Sequence, residues 1–258
     1  MAADQQTLRE VQTCLEPYDI QKNRRLAAQY PDGQYPHTRR CAILVPLFVS
    51  RQDGQLHVLL TQRASTLRSH ASNVAFPGGA QDASDRDDTH TALREAHEEI
   101  GLDPGDVTVI AHLPPMFVRF SNSVYPVVGF IPSDFQPKPN PDEVALVFSA
   151  PLRRFLEKDV SYGNYELFGQ MFRTVFLMHV VKSSAPLLIW GVTCTICVAV
   201  SRAILGPRKR FKLFLGKAGQ ASSSSDHDDD DELDDNVFGD VEKLYHFLCK
   251  SSVPSSKL

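Results

Sequence analysis

Three glutamates, Glu95, Glu98 and Glu99, are the residues with the clearest chemical potential in the chain. They stand at i, i+3 and i+4 within Phe76 to Leu102, FPGGAQDASDRDDTHTALREAHEEIGL. The run from Thr89 to Ile100 reads as a helix, and on a helix those offsets share one face. Three carboxylates on one patch repel by a few tenths of a kcal/mol per pair unless something cancels the charge. A hard divalent cation does so, because Mg²⁺ prefers carboxylate oxygens and keeps positions open for water and phosphate. Gly78 and Gly79, upstream, leave the backbone bare for close approach to a metal or a phosphate.

Arg94 directly precedes this triplet and Gly101 and Leu102 close it. Together with Gly79, Ala96 and the glutamates they resemble the Nudix box, whose pattern is G, five residues, E, seven residues, REUxEExGU with U apolar. Two departures stand out. Asp85 occupies the place of the first Glu, and eight residues rather than seven separate it from Arg94. Both fall in the loop before the helix and leave the acidic face intact. The resemblance implies an α/β/α sandwich with a mixed sheet, and hydrolysis of a diphosphate that joins two organic groups. It also implies Mg²⁺ or Mn²⁺ held by Glu95, Glu98 and Glu99 near Gly79. Glu95 and Glu99, one turn apart, are the expected direct ligands, with Glu98 acting through water. Arg94 is expected to orient the carboxylates. Two candidates remain open for the catalytic base, Glu98 and, from a later loop, Glu143.

A second motif lies just upstream. Leu59, Leu60, Thr61, Arg63, Ala64, Arg68 and Phe76-Pro77-Gly78-Gly79 resemble the signature of coenzyme A diphosphatases within the Nudix group, LLTxR[SA]xxxRxxxGxxxFPGG. Ser72 stands where that signature has Gly, and would be strained by about a kcal/mol if the position needs φ > 0. Coenzyme A carries a diphosphate and a separate ribose phosphate, which Arg63 and Arg68 suit through planar, fork-like donors. Gly78 is a third expected substrate contact. The arginines could equally pair with the acidic helix. The resemblance implies cleavage of coenzyme A or acyl-CoA to 3′,5′-ADP and (acyl-)4′-phosphopantetheine. Its alternatives are another Nudix substrate such as NADH, or a catalytically silent coenzyme A-binding protein.

Positioning these groups needs a sheet. Arg39 to Val49 and Leu56 to Thr61 read as strands joined by the turn Gln52-Asp53-Gly54, a hairpin. Further strands are expected at Val107 to Leu113, at Val124 to Ile131 and at Ala145 to Ala150. Pro126 argues for an edge position for the second of these. Pro151 to Lys158 reads as helical, and Tyr165 to Val181 as a hairpin turning near Gly169-Gln170. Leu187 to Leu205 is the most apolar stretch. Its length touches that of a membrane span, but Gly191, Thr193, Thr195, Ser201 and Arg202 favour a short strand followed by a buried helix, so no stable membrane insertion is expected.

With 258 residues and 42% hydrophobic content, the chain can bury one substantial core. The domain reading is a lead-in over 1–37 with helical spacing at Leu8, Val11 and Leu15, a catalytic domain over 38–217, and a tail over 218–258. The net charge of −4 is uneven, because 226–235 holds eight acidic residues; the remaining 23 acids against 27 Lys and Arg leave +4. That suits a polyanionic small molecule, while the lack of basic stripes interleaved with aromatics argues against nucleic acid. Five scattered cysteines and a polar start point to a reducing compartment. Cys194 and Cys197, in the apolar stretch, read as buried thiols. Pro207 to Lys217 is a basic run, 218–236 a hydrophilic tether, and Val237 to Phe247 a short amphipathic helix. The last residues, Ser256, Lys257 and Leu258, form the address read by the peroxisomal import receptor. The expected location is the peroxisomal matrix.

Overall fold

The computed structural model describes residues 2–31, 38–118, 122–157, 161–167, 170–179 and 187–206. The basic run, the tether, the terminal helix and the 256–258 tripeptide lie outside them. Eleven strands and four α-helices are described. They are α1 (Ala2–Leu15), α2 (Arg24–Ala27), β1 (Arg39–Val49), β2 (Leu56–Arg63), β3 (Val74–Ala75), β4 (Gly78–Ala80) and α3 (Asp88–Ile100). Then come β5 (Thr108–His112), β6 (Met116–Val118), β7 (Asn122–Phe130), β8 (Val144–Pro151), β9 (Ser161–Leu167), β10 (Gln170–His179), β11 (Leu187–Trp190) and α4 (Gly191–Leu205).

The main sheet runs β3-β2-β1-β7-β5, with β4 on β1, β6 on β7 and β8 on β2. It is mixed, because β1 and β7 pair in parallel over nine residues while their other pairings are antiparallel. Alternation along β1 sorts side chains to the two faces, as strand geometry requires. Ala42 and Leu44 join Ala92, Ala96, Ile100 and Val127 under α3. Val45 and Leu47 join Val11, Leu15, Ile196, Cys197 and Val200 on the opposite face, under α1 and α4. The result is the expected α/β/α layering, with a second antiparallel sheet, β11-β10-β9, beside it.

The β1–β2 hairpin, the β9–β10 hairpin and the strand-to-helix change at Gly191 form as expected. Cys194 and Cys197 are fully buried on α4, and burial pushes both thiols up, Cys194 to about 12. No described helix is long and apolar enough to cross a membrane.

Two expectations change. The strand around Pro126 is central, flanked by β1 on one side and by β5 and β6 on the other. Proline is tolerated there because it faces the gap between β5 and β6. The Leu113 N–H donates to the Pro126 carbonyl in that gap, and the missing N–H would have pointed at the same residue, so the loss is confined to one bond just past the end of β5. The helical expectation after β8 shrinks to a 3₁₀ turn over Leu152–Leu156, whose Leu152 and Phe155 are buried. The lead-in is also integrated, since Val11 and Leu15 are each 1% exposed in the core.

Candidate active site

The site is built on α3, and local chemistry sets that helix in place. Asp87 caps its N-terminus by accepting from the His90 N–H at 2.7 Å. Gly101, at φ 71°, ends it in the left-handed conformation that an L side chain resists. The small side chains of Ala92 and Ala96, both fully buried, bring the helix axis close to β1. Glu95 and Glu99 are thereby pressed against β4 and the double-glycine bend.

Glu99 is 2% exposed. One of its oxygens accepts from the Gly78 N–H at 3.2 Å, and the other lies 3.6 Å from Arg63 Nη1. Burial pushes its carboxyl up to about 7; Arg63 and the Gly78 N–H pull it down, while Glu95 and Glu143 push it up. Burial also raises Glu95, whose carboxylate lies 3.0 Å from Arg94 Nη1. Gly79 leaves room for the Glu95 carboxylate, which a Cβ at that position would overlap and displace. Glu98 is exposed and reaches Arg94 Nη1 at 3.1 Å.

Glu143 arrives from the loop before β8, and that loop is stitched to the site. The Asn140 N–H donates to the Glu99 carbonyl at 2.9 Å and the Lys138 N–H to the Ile100 carbonyl at 2.8 Å, satisfying carbonyls that the end of α3 leaves open. The Ala64 N–H donates to the Glu143 carbonyl at 2.8 Å, and Asn140 Nδ2 reaches its carboxylate at 3.4 Å. Glu143 is half-buried, close enough to both Glu95 and Glu99 to disfavour their ionised forms.

Asp85, the departure from the box pattern, is the anchor of Arg94. Its side chain is fully buried and accepts from Arg94 Nε at 3.0 Å, Arg94 Nη2 at 2.9 Å, Thr91 Oγ1 at 3.0 Å and the Asp82 N–H at 2.9 Å. His90 Nδ1 lies 2.7 Å away. Arg94 above all holds the Asp85 carboxyl well below the usual carboxylate range. Arg94 then spans Asp85, the Ala80 carbonyl, Glu95 and Glu98. The sequence marked Asp85 as a mismatch; among the several acids at 82–88 it carries no signal of burial.

Of the expected substrate contacts, Arg63 turns to Glu99, and its buried Nε has no hydrogen-bond partner among the described residues. Arg68 is exposed and makes no ion pair among them. It belongs to the 64–73 loop, which carries two non-glycine residues at positive φ, His70 at 54° and Ser72 at 61°. The expected strain at Ser72 is therefore present, at about 1–2 kcal/mol.

Glu95, Glu98, Glu99 and Glu143 thus lie around one bend with Gly79. Among the described residues no three acidic, imidazole or thiol groups form a ready cage, since Glu95 is drawn onto Arg94 and Glu99 onto Arg63. The donor set nonetheless fits a hard divalent ion. All the donors are carboxylate oxygens, and the charges of Glu95 and Glu143 raise the cost of ionising Glu99, which a cation reverses.

Comparison with known proteins agrees with this geometry. The NUDIX domain pattern matches residues 38–168. Over 187 residues the chain is 40% identical to the peroxisomal coenzyme A diphosphatase NUDT7 of Mus musculus, covering 70% of this chain and 77% of the relative. It is 37% identical over 203 residues to Nudix hydrolase 15, mitochondrial, of Arabidopsis thaliana, covering 77% and 68%. It is also 37% identical over 161 residues to the uncharacterized Nudix hydrolase NudL of Photorhabdus laumondii, covering 62% and 82%.

Proposed function

The chain belongs to the NUDIX family of hydrolases, and from that premise we propose that it cuts the diphosphate of coenzyme A and its acyl thioesters, releasing 3′,5′-ADP and (acyl-)4′-phosphopantetheine. The observation that carries the reading is the meeting of two motifs at one bend. Gly78 gives its N–H to Glu99, and Arg63, from the coenzyme A-type motif, reaches the same carboxylate. The coenzyme A diphosphatase named above supports the substrate class.

Glu95 and Glu99, with Glu98 and the Gly79 backbone, would hold Mg²⁺ or Mn²⁺. A bound divalent ion neutralises phosphoryl oxygens and lowers the pKa of water. The chain's own residues do the rest. Arg94, fixed by Asp85, orients Glu95 and Glu98. Arg63, which lies 3.6 Å from Glu99, would suit a substrate phosphate as an alternative partner for its planar guanidinium. Arg68, on the exposed loop, supplies a further cation. Glu143 or Glu98 takes the proton of the attacking water; Glu143 is the better shielded of the two, while Glu98 is committed to Arg94. The compartment named for the mouse relative supports a peroxisomal location.

The test is a divalent-dependent hydrolysis panel with coenzyme A, acetyl-CoA, NADH and ADP-ribose, run beside Glu99→Ala. The expected result is preference for the coenzyme A substrates and loss of turnover in the variant. Preference for NADH overturns the substrate, and an equally active Glu99→Ala overturns the site.

A further inference from the structure

Two arginines reach the carboxylate bend, and they are held very differently. Arg94 is locked, with Nε and Nη2 donating to Asp85 at 3.0 and 2.9 Å and Nη2 also to the Ala80 carbonyl at 3.1 Å. Arg63 is not. Its Nη1 lies 3.6 Å from a Glu99 oxygen, beyond hydrogen-bond length, and its buried Nε has no hydrogen-bond partner among the described residues. Its backbone, by contrast, is pinned. The Arg63 N–H donates to the Asn73 carbonyl at 3.0 Å, and the next N–H, of Ala64, to the Glu143 carbonyl at 2.8 Å. The register of β2 against β8 shifts between Gln62 and Arg63, an irregularity of the kind that re-aims a side chain. A guanidinium on a fixed stem thus faces the buried Glu99 through charge alone.

Resting on the coenzyme A reading above, we propose that Arg63 competes with the divalent ion for Glu99, so that metal and diphosphate each bind weakly alone and strongly together. Glu99 is shut off from water, and like charges repel most where water screens least, so an ion drawn to this carboxylate is opposed by the guanidinium already beside it. A diphosphate removes the conflict. Its oxygens match the planar fork of an arginine, giving Nη1 and the idle Nε a partner and leaving Glu99 to the ion. Arg94 cannot play this part, because Asp85 holds it through two hydrogen bonds. The coupling is reciprocal, as linkage requires: whatever the diphosphate does for the affinity of the ion, the ion does for the diphosphate. Arg63 is thereby a positioning residue that ties metal loading to the arrival of substrate.

Isothermal calorimetry of the full chain at pH 8.5, where protons compete least for carboxylates, measures Mg²⁺ alone and, in EDTA, coenzyme A alone. Arg63→Met should bind Mg²⁺ about tenfold more tightly than the wild type and coenzyme A about tenfold more weakly, within the usual range of coupling between sites. Arg63→Lys keeps the charge and loses the fork, so Mg²⁺ affinity should stay within about twofold while coenzyme A still binds more weakly. Weaker or unchanged Mg²⁺ binding by Arg63→Met, the result of a merely structural role, overturns the proposal. Tighter Mg²⁺ binding by Arg63→Lys overturns it as well, because charge would then not be the cause. Arg63→Gln carries the same expectations as Arg63→Met should that variant not fold. Failure of the underlying reading is distinct: a wild type that binds Mg²⁺ but not coenzyme A loses its substrate, while the Mg²⁺ comparison still decides on Arg63.

Discussion

Glu99 makes the metal-free protein sensitive to pH in a direction opposite to ordinary surface carboxylates. Its carboxyl is lifted from 4.5 to about 7, chiefly by burial. Below pH 4.5 both folded and unfolded chains hold the proton, and the group is neutral to stability. Between 4.5 and 7 the unfolded chain releases it while the folded chain keeps it, so stability falls as pH rises. Above 7 both are ionised and the loss is complete, at about 3 kcal/mol. Urea unfolding in EDTA at pH 5 and pH 8 reads this, with Glu99→Gln removing the titration. The wild type should lose about 2.5 kcal/mol more than the variant between those two pH values, since part of the loss is already present at pH 5. Mg²⁺ at pH 8 should restore stability to the wild type and leave the variant unchanged. Parallel pH dependence in the two proteins would refute the reasoning, and restoration of both by Mg²⁺ would place the ion elsewhere.

Asp85→Asn breaks a buried ion pair and leaves Arg94 without its anchor, which should cost 3–5 kcal/mol by denaturant midpoint, about the usual value for such a loss. Gly79→Ala puts a methyl into the Glu95 carboxylate; calorimetry should show at least about tenfold weaker Mg²⁺ binding, while the far-UV spectrum stays that of the wild type. Ser72→Gly relieves the positive-φ strain and should raise the unfolding free energy by about 1 kcal/mol; an unchanged midpoint would mean that the loop relaxes freely.

How much of this was legible follows from what local sequence encodes. Periodicity revealed the acidic face of α3, the β1–β2 hairpin and the change from strand to helix at Gly191, because each depends on neighbours within a few residues. The layering was legible only through resemblance. Pro126 misled, since its missing N–H matters only relative to partner strands that the sequence does not show. Asp85 was overlooked as a functional residue because its burial is created by Arg94, Thr91 and His90 folding over it. The choice of Arg63 for Glu99 is likewise tertiary, set by the Glu143 loop bringing β2 and α3 together.

The parallel register of β1 with β7, from Arg39 opposite Asn122 to Leu47 opposite Phe130, also governs when the catalytic geometry comes into being. Strands paired that way cannot nucleate as a hairpin; the intervening chain, α3 included, must be threaded into a crossover first, which makes folding slow. During synthesis the glutamates of α3 leave the ribosome after β1 and β4 but before β7, the parallel partner of β1. A half-made chain therefore holds its acidic helix against an unfinished sheet, and the full geometry arrives only when β7 is paired.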